Sequence, residues 1–212
     1  MKIKKFTFNS FQENTYVIDS MNQCMIIDPG CQNASEEKIL SNYIESENLI
    51  PVQLINTHCH IDHVFGNNFI SKKYNLRAKI HKLDYPLLEN ATTIANHYGI
   101  HLNAPSLDVD YINEGDLITL GNTEWKIIFT PGHAPGHICL LNKKEKKIIS
   151  GDVLFKSSIG RTDLPLCNHD DLINSIQNKL FLLDENVEVF CGHGKNTTIG
   201  YEKKNNPFFF KK

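Results

Sequence analysis

An α+β chain built on two β-sheets is the fold class the sequence predicts, and three observations point to it. The first thirty residues read as short alternating strands, and later strands are interleaved with stretches of helical periodicity. A strand running straight into a histidine-bearing loop occurs twice, as VQLINTHCH (52–60) and WKIIFTPGH (125–133). That echo suggests two sheets whose strand ends deliver side chains to a common place.

In chain order, 2–8, 14–19 and 24–28 form a strand meander that closes on the turn signal Pro29-Gly30. Residues 34–48 have helical spacing, with Ile39, Leu40, Tyr43 and Ile44 on one face. The apolar strand 52–56 leads into THCHIDH. Helices are expected at 65–74 and 83–97, on either side of a strand at 78–81. Strands follow at 116–120, 124–130, 137–142 and 147–150, and a helix at 170–182 with a strand at 187–190 completes the order.

At 212 residues the chain is expected to form one domain, 1–212, with a full core. A composition 41% hydrophobic and 22% charged is that of a globular protein rather than a disordered one. A net charge of −2 argues against nucleic acid as the main partner, because phosphate binding needs a concentrated basic surface. Lysine pairs such as Lys72-Lys73, Lys146-Lys147 and Lys211-Lys212 are dispersed, as on a solvated face. The N-terminus lacks the apolar stretch of a secretory signal, and no apolar run approaches the roughly 18 residues of a membrane span. The six cysteines show no CxxC pair and read as free thiols. A cytoplasmic protein acting on a small molecule, without nucleic acid or membrane as partner, is therefore expected; the oligomeric state is left open.

The stretch NTHCHIDHVFGN (56–67) crowds His58, His60, Asp62 and His63 into six positions. Such crowding costs desolvation and repulsion unless a cation sits among the groups. TPGH (130–133), SGD (150–152) and CGHG (191–194) add His133, Asp152 and His193 from glycine-bounded turns at strand ends, with IIDPG (26–30) as a supporting loop. Gly132, Gly151, Gly192 and Gly194 allow the tight turns through which a ligand leaves a rigid strand. Seven groups exceed the three or four protein ligands of a single zinc ion. Two ions sharing one carboxylate use them all: His58, His60 and His133 on one, Asp62, His63 and His193 on the other, Asp152 between. Asp62 and Asp152 are the expected catalytic carboxylates. The nitrogen and oxygen donors suit zinc, with iron or manganese as alternatives.

The string HCHIDH at 58–63, followed in order by His133, Asp152 and His193, resembles the metallo-β-lactamase superfamily, over nearly the whole chain. FQENTYVI (11–18), IIDPG, TPGHAPGH (130–137) and SIGRTDLP (158–165) are similar to its glyoxalase II-like group. The resemblance implies an αββα sandwich, two mixed sheets flanked by helices, with the site at the open edge between them. Zinc β-lactamases are less similar, because they lack the aspartate that SGD supplies. The implied activity is a binuclear hydrolase cleaving a thioester of the hydroxyacylglutathione type. A thiol of pKa about 8.5 departs without a strong general acid, whereas an amide leaving group needs a proton donor. Glyoxalase II enzymes carry a helical C-terminal domain with glutathione contacts; nineteen residues follow His193 here, so the short type without that domain is expected and the thiol carrier is left open.

The same resemblance admits a persulfide dioxygenase with one iron on His58, His133 and Asp152, the part of His60 being left open. A lactonase, a phosphodiesterase or a non-catalytic metal-binding protein fits less of the pattern. The tRNA-processing branch adds a basic arm that is not visible here. Among the remaining residues, His137 is expected behind the ligands, and His81, His97, His101 and His169 in surface or core roles. Cys59 and Cys191 read as packed small residues. Asp28 either bonds a ligand histidine or caps a turn. Arg161 and Asp163 either anchor substrate or pair within their loop. Phenylalanines 208–210 are expected to pack on the body, with a dimer contact as the alternative.

Overall fold

The computed structural model describes residues 1–209. The chain divides into two compact units, Met1–Ile112 with Thr119–Thr123, and Asn113–Ile118 with the chain from Glu124 onward.

In the first unit, β1 (Lys2–Phe8), β2 (Glu13–Ser20), β3 (Gln23–Ile27), β4 (Ile50–Ile55), β5 (Ala78–Ile80) and β6 (Val109–Tyr111) form one sheet in that order. The expected meander is there: β1–β2 and β2–β3 are antiparallel. From β3 onward the pairs are parallel, so the sheet is mixed. A parallel pair needs a crossover connection, and α1 (Ala34–Ser46) provides it between β3 and β4. Asn33 caps α1 by accepting from the Ser35 and Glu36 N–H groups, and Glu36 and Glu37 lie in the first turn, where the helix dipole favours them. Leu40 and Ile44 are buried as the periodicity requires, but Ile39 is 51% exposed, at the edge of the apolar face.

The two helices expected next are both interrupted. The first becomes α2 (Ile61–Val64) and α3 (Asn67–Tyr74). The break falls at Gly66, whose N–H donates to the Pro29 carbonyl at 2.6 Å and where a Cβ would meet Cys31 Sγ at 2.4 Å. The second begins as a 3-10 turn at Lys82–Asp84 and continues as α4 (Tyr85–Glu89) and α5 (Ala91–His97). Pro86 opens α4, where its missing N–H costs nothing.

The second sheet contains β7 (Leu117–Leu120), β8 (Thr123–Phe129), β9 (Ile138–Asn142), β10 (Lys147–Gly151), β13 (Glu188–Cys191) and β14 (Thr197–Thr198), in the order β14-β13-β10-β9-β8-β7. It too is mixed: β10 runs parallel to β13 and antiparallel to β9. Between β10 and β13 lie the hairpin of β11 (Leu154–Phe155) and β12 (Ser158–Ile159) and the helix α6 (His169–Asn178), followed by a 3-10 turn at Leu180–Leu182. Val153, Leu172, Ile176, Val189 and Ile199 belong to one buried cluster of this unit. The chain does not finish at β13: α7 (Ile199–Asn205) follows, capped by Thr198. Phe209 packs on Phe181 at 4.9 Å between ring centroids, Phe208 is exposed, and residues 210–212 lie outside the described residues. Among the described residues no helix is long and apolar enough to cross a membrane.

Candidate metal centre

In the first unit β4 ends at Ile55, and the next five residues carry the chain through His58 and His60 into α2 with Asp62 and His63. Asp28, just beyond β3, organises this passage. Its Oδ1 accepts the Thr57 N–H at 2.7 Å and its Oδ2 accepts the Thr57 hydroxyl at 2.6 Å. Asp28 Oδ2 also lies 3.1 Å from His63 Nδ1. Of its two expected places, Asp28 thus takes the one beside a candidate ligand, His63. It does so from a left-handed backbone, φ 50°, a conformation that aspartate tolerates better than most residues.

Those contacts fix the histidine tautomers. Thr57 gives its single hydroxyl proton to Asp28, so its oxygen accepts from His58 Nδ1–H at 3.1 Å and the lone pair of His58 resides on Nε2. His63 Nδ1 lies at ion-pair distance from the Asp28 carboxylate, 3.1 Å, which favours the proton on Nδ1 and the lone pair on Nε2, 3.6 Å from Asp62 Oδ2. The His58 ring lies 4.8 Å from that of His60 and 4.1 Å from that of His63, measured between centroids.

In the second unit Gly132 turns the chain after β8 with φ 134°, a value only glycine adopts readily, and a Cβ there would meet the Leu172 backbone nitrogen at 2.2 Å. His133 Nδ1 donates to the Arg161 carbonyl at 2.9 Å, which again leaves the lone pair on Nε2. Asp152 Oδ2 lies 3.6 Å from His133 Nε2 and 3.4 Å from His193 Nε2. Gly151, at φ 47°, aims Asp152, while Gly192 has no positive φ; its N–H instead donates to the Gly151 carbonyl at 2.8 Å and ties the two turns together. His137 stands behind the ligands as expected. Its Nε2 accepts the Asp152 N–H at 3.0 Å, and its Nδ1 lies 3.1 Å from the Thr130 hydroxyl.

Two atoms bound about 2.1 Å from one tetrahedral ion lie about 3.4 Å apart. The three imidazole–carboxylate separations, 3.4, 3.6 and 3.6 Å, match that edge, and the donors are all nitrogen and oxygen. The residues thus fit divalent ions, with His58, His60, Asp62 and His63 gathered in one unit and His133, Asp152 and His193 in the other.

Sequence reasoning missed two supporting carboxylates. Asp84, fully buried, accepts the N–H of Cys59 at 2.8 Å and so pins the backbone between His58 and His60. Glu13, also fully buried, lies 3.9 Å from His63 Nδ1; burial drives its pKa well above the ordinary value, opposed by His63. Neither sits in a ligand-like motif; Glu13 falls within FQENTYVI, a segment similar to the glyoxalase II-like group, and Asp84 follows His81-Lys82-Leu83 with nothing local to mark it. Arg161 pairs with Asp163 through two bonds of 2.7 and 2.8 Å, so the loop-pairing expectation holds for these two. Cys59 and Cys191 are buried, and burial raises both thiols, Cys191 to about 12; they are packed residues.

The family model of the metallo-beta-lactamase superfamily matches residues 9–193. A Haemophilus influenzae relative described as hydroxyacylglutathione hydrolase GloC is 35% identical over 211 residues, covering 98% of each chain. A Bacillus subtilis relative described as probable metallo-hydrolase YqgX is 33% identical over 209 residues, 98% of this chain and 97% of the relative. Two solved structures, the BLEG-1 B3 metallo-beta-lactamase and TTHA1623 in a di-iron-bound form, are each 32% identical with a TM-score of 0.88. They cover 99% and 97% of this chain and match over 100% of their own length. The fold is therefore the expected one, α+β with two mixed sheets flanked by helices.

Proposed function

The chain belongs to the metallo-beta-lactamase superfamily, whose relatives include metal-dependent hydrolases, and from that membership we propose that residues 1–212 act as one binuclear thioesterase domain. His58, His60 and His133 are assigned to one ion, Asp62, His63 and His193 to the other, and Asp152 to both. Zinc is the proposed metal, and the same donors accept iron or manganese.

The observation that carries the reading is the position of Asp152. One carboxylate oxygen lies within a ligand edge of His133 Nε2 and His193 Nε2, two imidazoles assigned to different ions. When bound, a pair of divalent ions polarises a carbonyl oxygen and lowers the pKa of water from 15.7 to about 7. The rest falls to the chain itself. Thr57 and the Arg161 carbonyl hold the Nδ1 protons of His58 and His133, and the Asp28 carboxylate, 3.1 Å from His63 Nδ1, favours the same tautomer there, which leaves each Nε2 lone pair for an ion. Asp62 would hold its ion through Oδ2, beside His63 Nε2, and leave its other carboxylate oxygen to orient an attacking water. A thiol leaving group of pKa about 8.5 departs as thiolate without a proton donor, which favours a thioester over an amide.

The GloC relative supports an acyl-glutathione type of ester as substrate, a small molecule rather than nucleic acid or membrane. The six cysteines, all free, are in keeping with a reducing cytoplasm. The test is hydrolysis of S-lactoylglutathione by the wild type and Asp152→Ala. The expected result is turnover by the wild type and a loss of at least about 100-fold in kcat/KM in the variant. Unchanged rates in the variant sink the bridging role; oxygen uptake with glutathione persulfide, and no ester cleavage, assigns a dioxygenase instead.

A further inference from the structure

Glu202, on α7, is fully buried, and neutral donors surround its carboxylate. Oε1 accepts the Thr197 hydroxyl, and the Ser157 N–H is shared between Oε1 at 3.2 Å and Oε2 at 3.0 Å. Oε2 also accepts from the Asn206 amide at 2.8 Å, and the same NH2 group donates to the Ser158 carbonyl at 3.0 Å. Asn206 is fully buried as well. An apolar filling would avoid the cost of desolvating a carboxylate; a buried carboxylate matched by this many donors adds a fixed geometry. Ser157 sits in the hairpin turn at φ 59°, a left-handed backbone uncommon for serine, and its N–H bond to Glu202 holds the turn there.

These bonds join the two chain segments that deliver Asp152 and His193. Ser157 and Ser158 belong to the β11–β12 hairpin, which starts two residues beyond Asp152, and Thr197 opens β14, four residues beyond His193. The hairpin and the residues just after it then touch each candidate ligand of their unit. Phe155 meets the His193 ring edge-on at 6.2 Å between centroids. Gly160 packs so closely on Asp152 that a Cβ there would lie 1.9 Å from the Asp152 carbonyl oxygen. Arg161 supplies the carbonyl that receives His133 Nδ1–H at 2.9 Å.

We propose that Glu202, seconded by Asn206, is a positioning residue of the metal centre. Through the hairpin turn and β14 it sets the placement of Asp152 and His193, and through Arg161 that of His133. The inference rests on the reading of these three residues as metal ligands and extends the support of the centre to α7.

The test compares the wild type with Glu202→Gln, whose NH2 group turns a donor toward donors, and with the milder Thr197→Val, which removes the hydroxyl bond to Glu202. Cobalt(II) is titrated into the metal-free full chain, with affinity read by chelator competition and ligand geometry by the visible absorption of the bound ion. Affinity is expected to fall at least about tenfold in Glu202→Gln, with an altered spectrum, and to fall less in Thr197→Val. The His133 tautomer is read by nitrogen NMR on the metal-free chains at about pH 8, where a free imidazole is neutral. The Nδ1–H form should dominate in the wild type and lose ground in Glu202→Gln. A lower Tm with wild-type affinity, spectrum and tautomer makes the tie structural only and overturns the proposal. Should Glu202→Gln not fold, unaltered affinity and tautomer in Thr197→Val overturn it alone. A wild type that takes up no cobalt sinks the metal centre, while a Glu202-dependent tautomer leaves the positioning role standing. Cobalt bound equally by all three chains keeps the centre and overturns the role.

Discussion

Replacing Asp28 by asparagine removes one charge while keeping shape and backbone, because asparagine tolerates the φ of 50° found there. One amide oxygen can still accept the Thr57 N–H. The other carboxylate oxygen becomes an NH2 donor facing the Thr57 hydroxyl, at 2.6 Å, and His63 Nδ1, at 3.1 Å. The Thr57 hydroxyl donates in the native arrangement and His63 Nδ1 lies at ion-pair distance, and the site is 1% exposed, so water does not replace the lost carboxylate oxygen. A hydrogen bond to a charged acceptor contributes about 1.5–3 kcal/mol, and rotation of the Thr57 hydroxyl recovers part of one. The expected loss is about 2–4 kcal/mol, or roughly 5–15 °C in Tm for a chain of this size. His63 also loses its orienting partner, which should weaken metal binding about 10- to 100-fold. Thermal unfolding of the metal-free protein reads the first effect, and competition with a fluorescent chelator reads the second. A variant with unaltered Tm and metal affinity would refute the role given to Asp28.

Other perturbations test the rest of the site. Gly160→Ala places a Cβ 1.9 Å from the Asp152 carbonyl oxygen and 3.2 Å from His133 Cβ. It should cost at least about 2 kcal/mol and lower metal content, and a variant as stable and metal-loaded as wild type contradicts the packing. Asp84→Leu strands the buried Cys59 N–H and should destabilise by about 1–3 kcal/mol in chemical denaturation. Native alkylation should label half-buried Cys167 before the five buried cysteines, as mass spectrometry would reveal; early labelling of Cys59 or Cys191 argues against their burial. The Arg161 guanidinium holds the Asp163 carboxyl down to about 2. A depressed carboxylate contributes stability above its ordinary pKa and loses it as pH falls through the folded value, so this contribution fades toward pH 2. In Arg161→Gln the NMR titration of Asp163 should return to the ordinary carboxylate range; an unmoved midpoint refutes the pairing.

Long, regular features were legible in the sequence and short or tertiary ones were not. The β1–β2–β3 meander and the strands before THCHIDH and TPGH carry strong period-two or apolar signals, and they stand where expected. Among the strands of two or three residues β5 is foreshadowed at 78–81, whereas β6, β11, β12 and β14 are too short to show a period. The expected helix at 83–97 has continuous apolar spacing, yet it breaks at Asn90, whose backbone (φ −92°, ψ 3°) leaves the helical region. The seven candidate ligands are legible because metal chemistry needs those residue types at strand ends. Asp84 and Glu13 act through folded neighbours distant in sequence, so their role cannot be read locally, although Glu13 lies in the family-like segment FQENTYVI.

Metal content per chain, measured by elemental analysis on protein purified without chelator, bears most directly on the binuclear centre. About two ions per chain, zinc or mixed, are expected, falling to about one in Asp152→Ala. One iron per wild-type chain would contradict the binuclear hydrolase, and a chain free of metal would contradict the centre altogether.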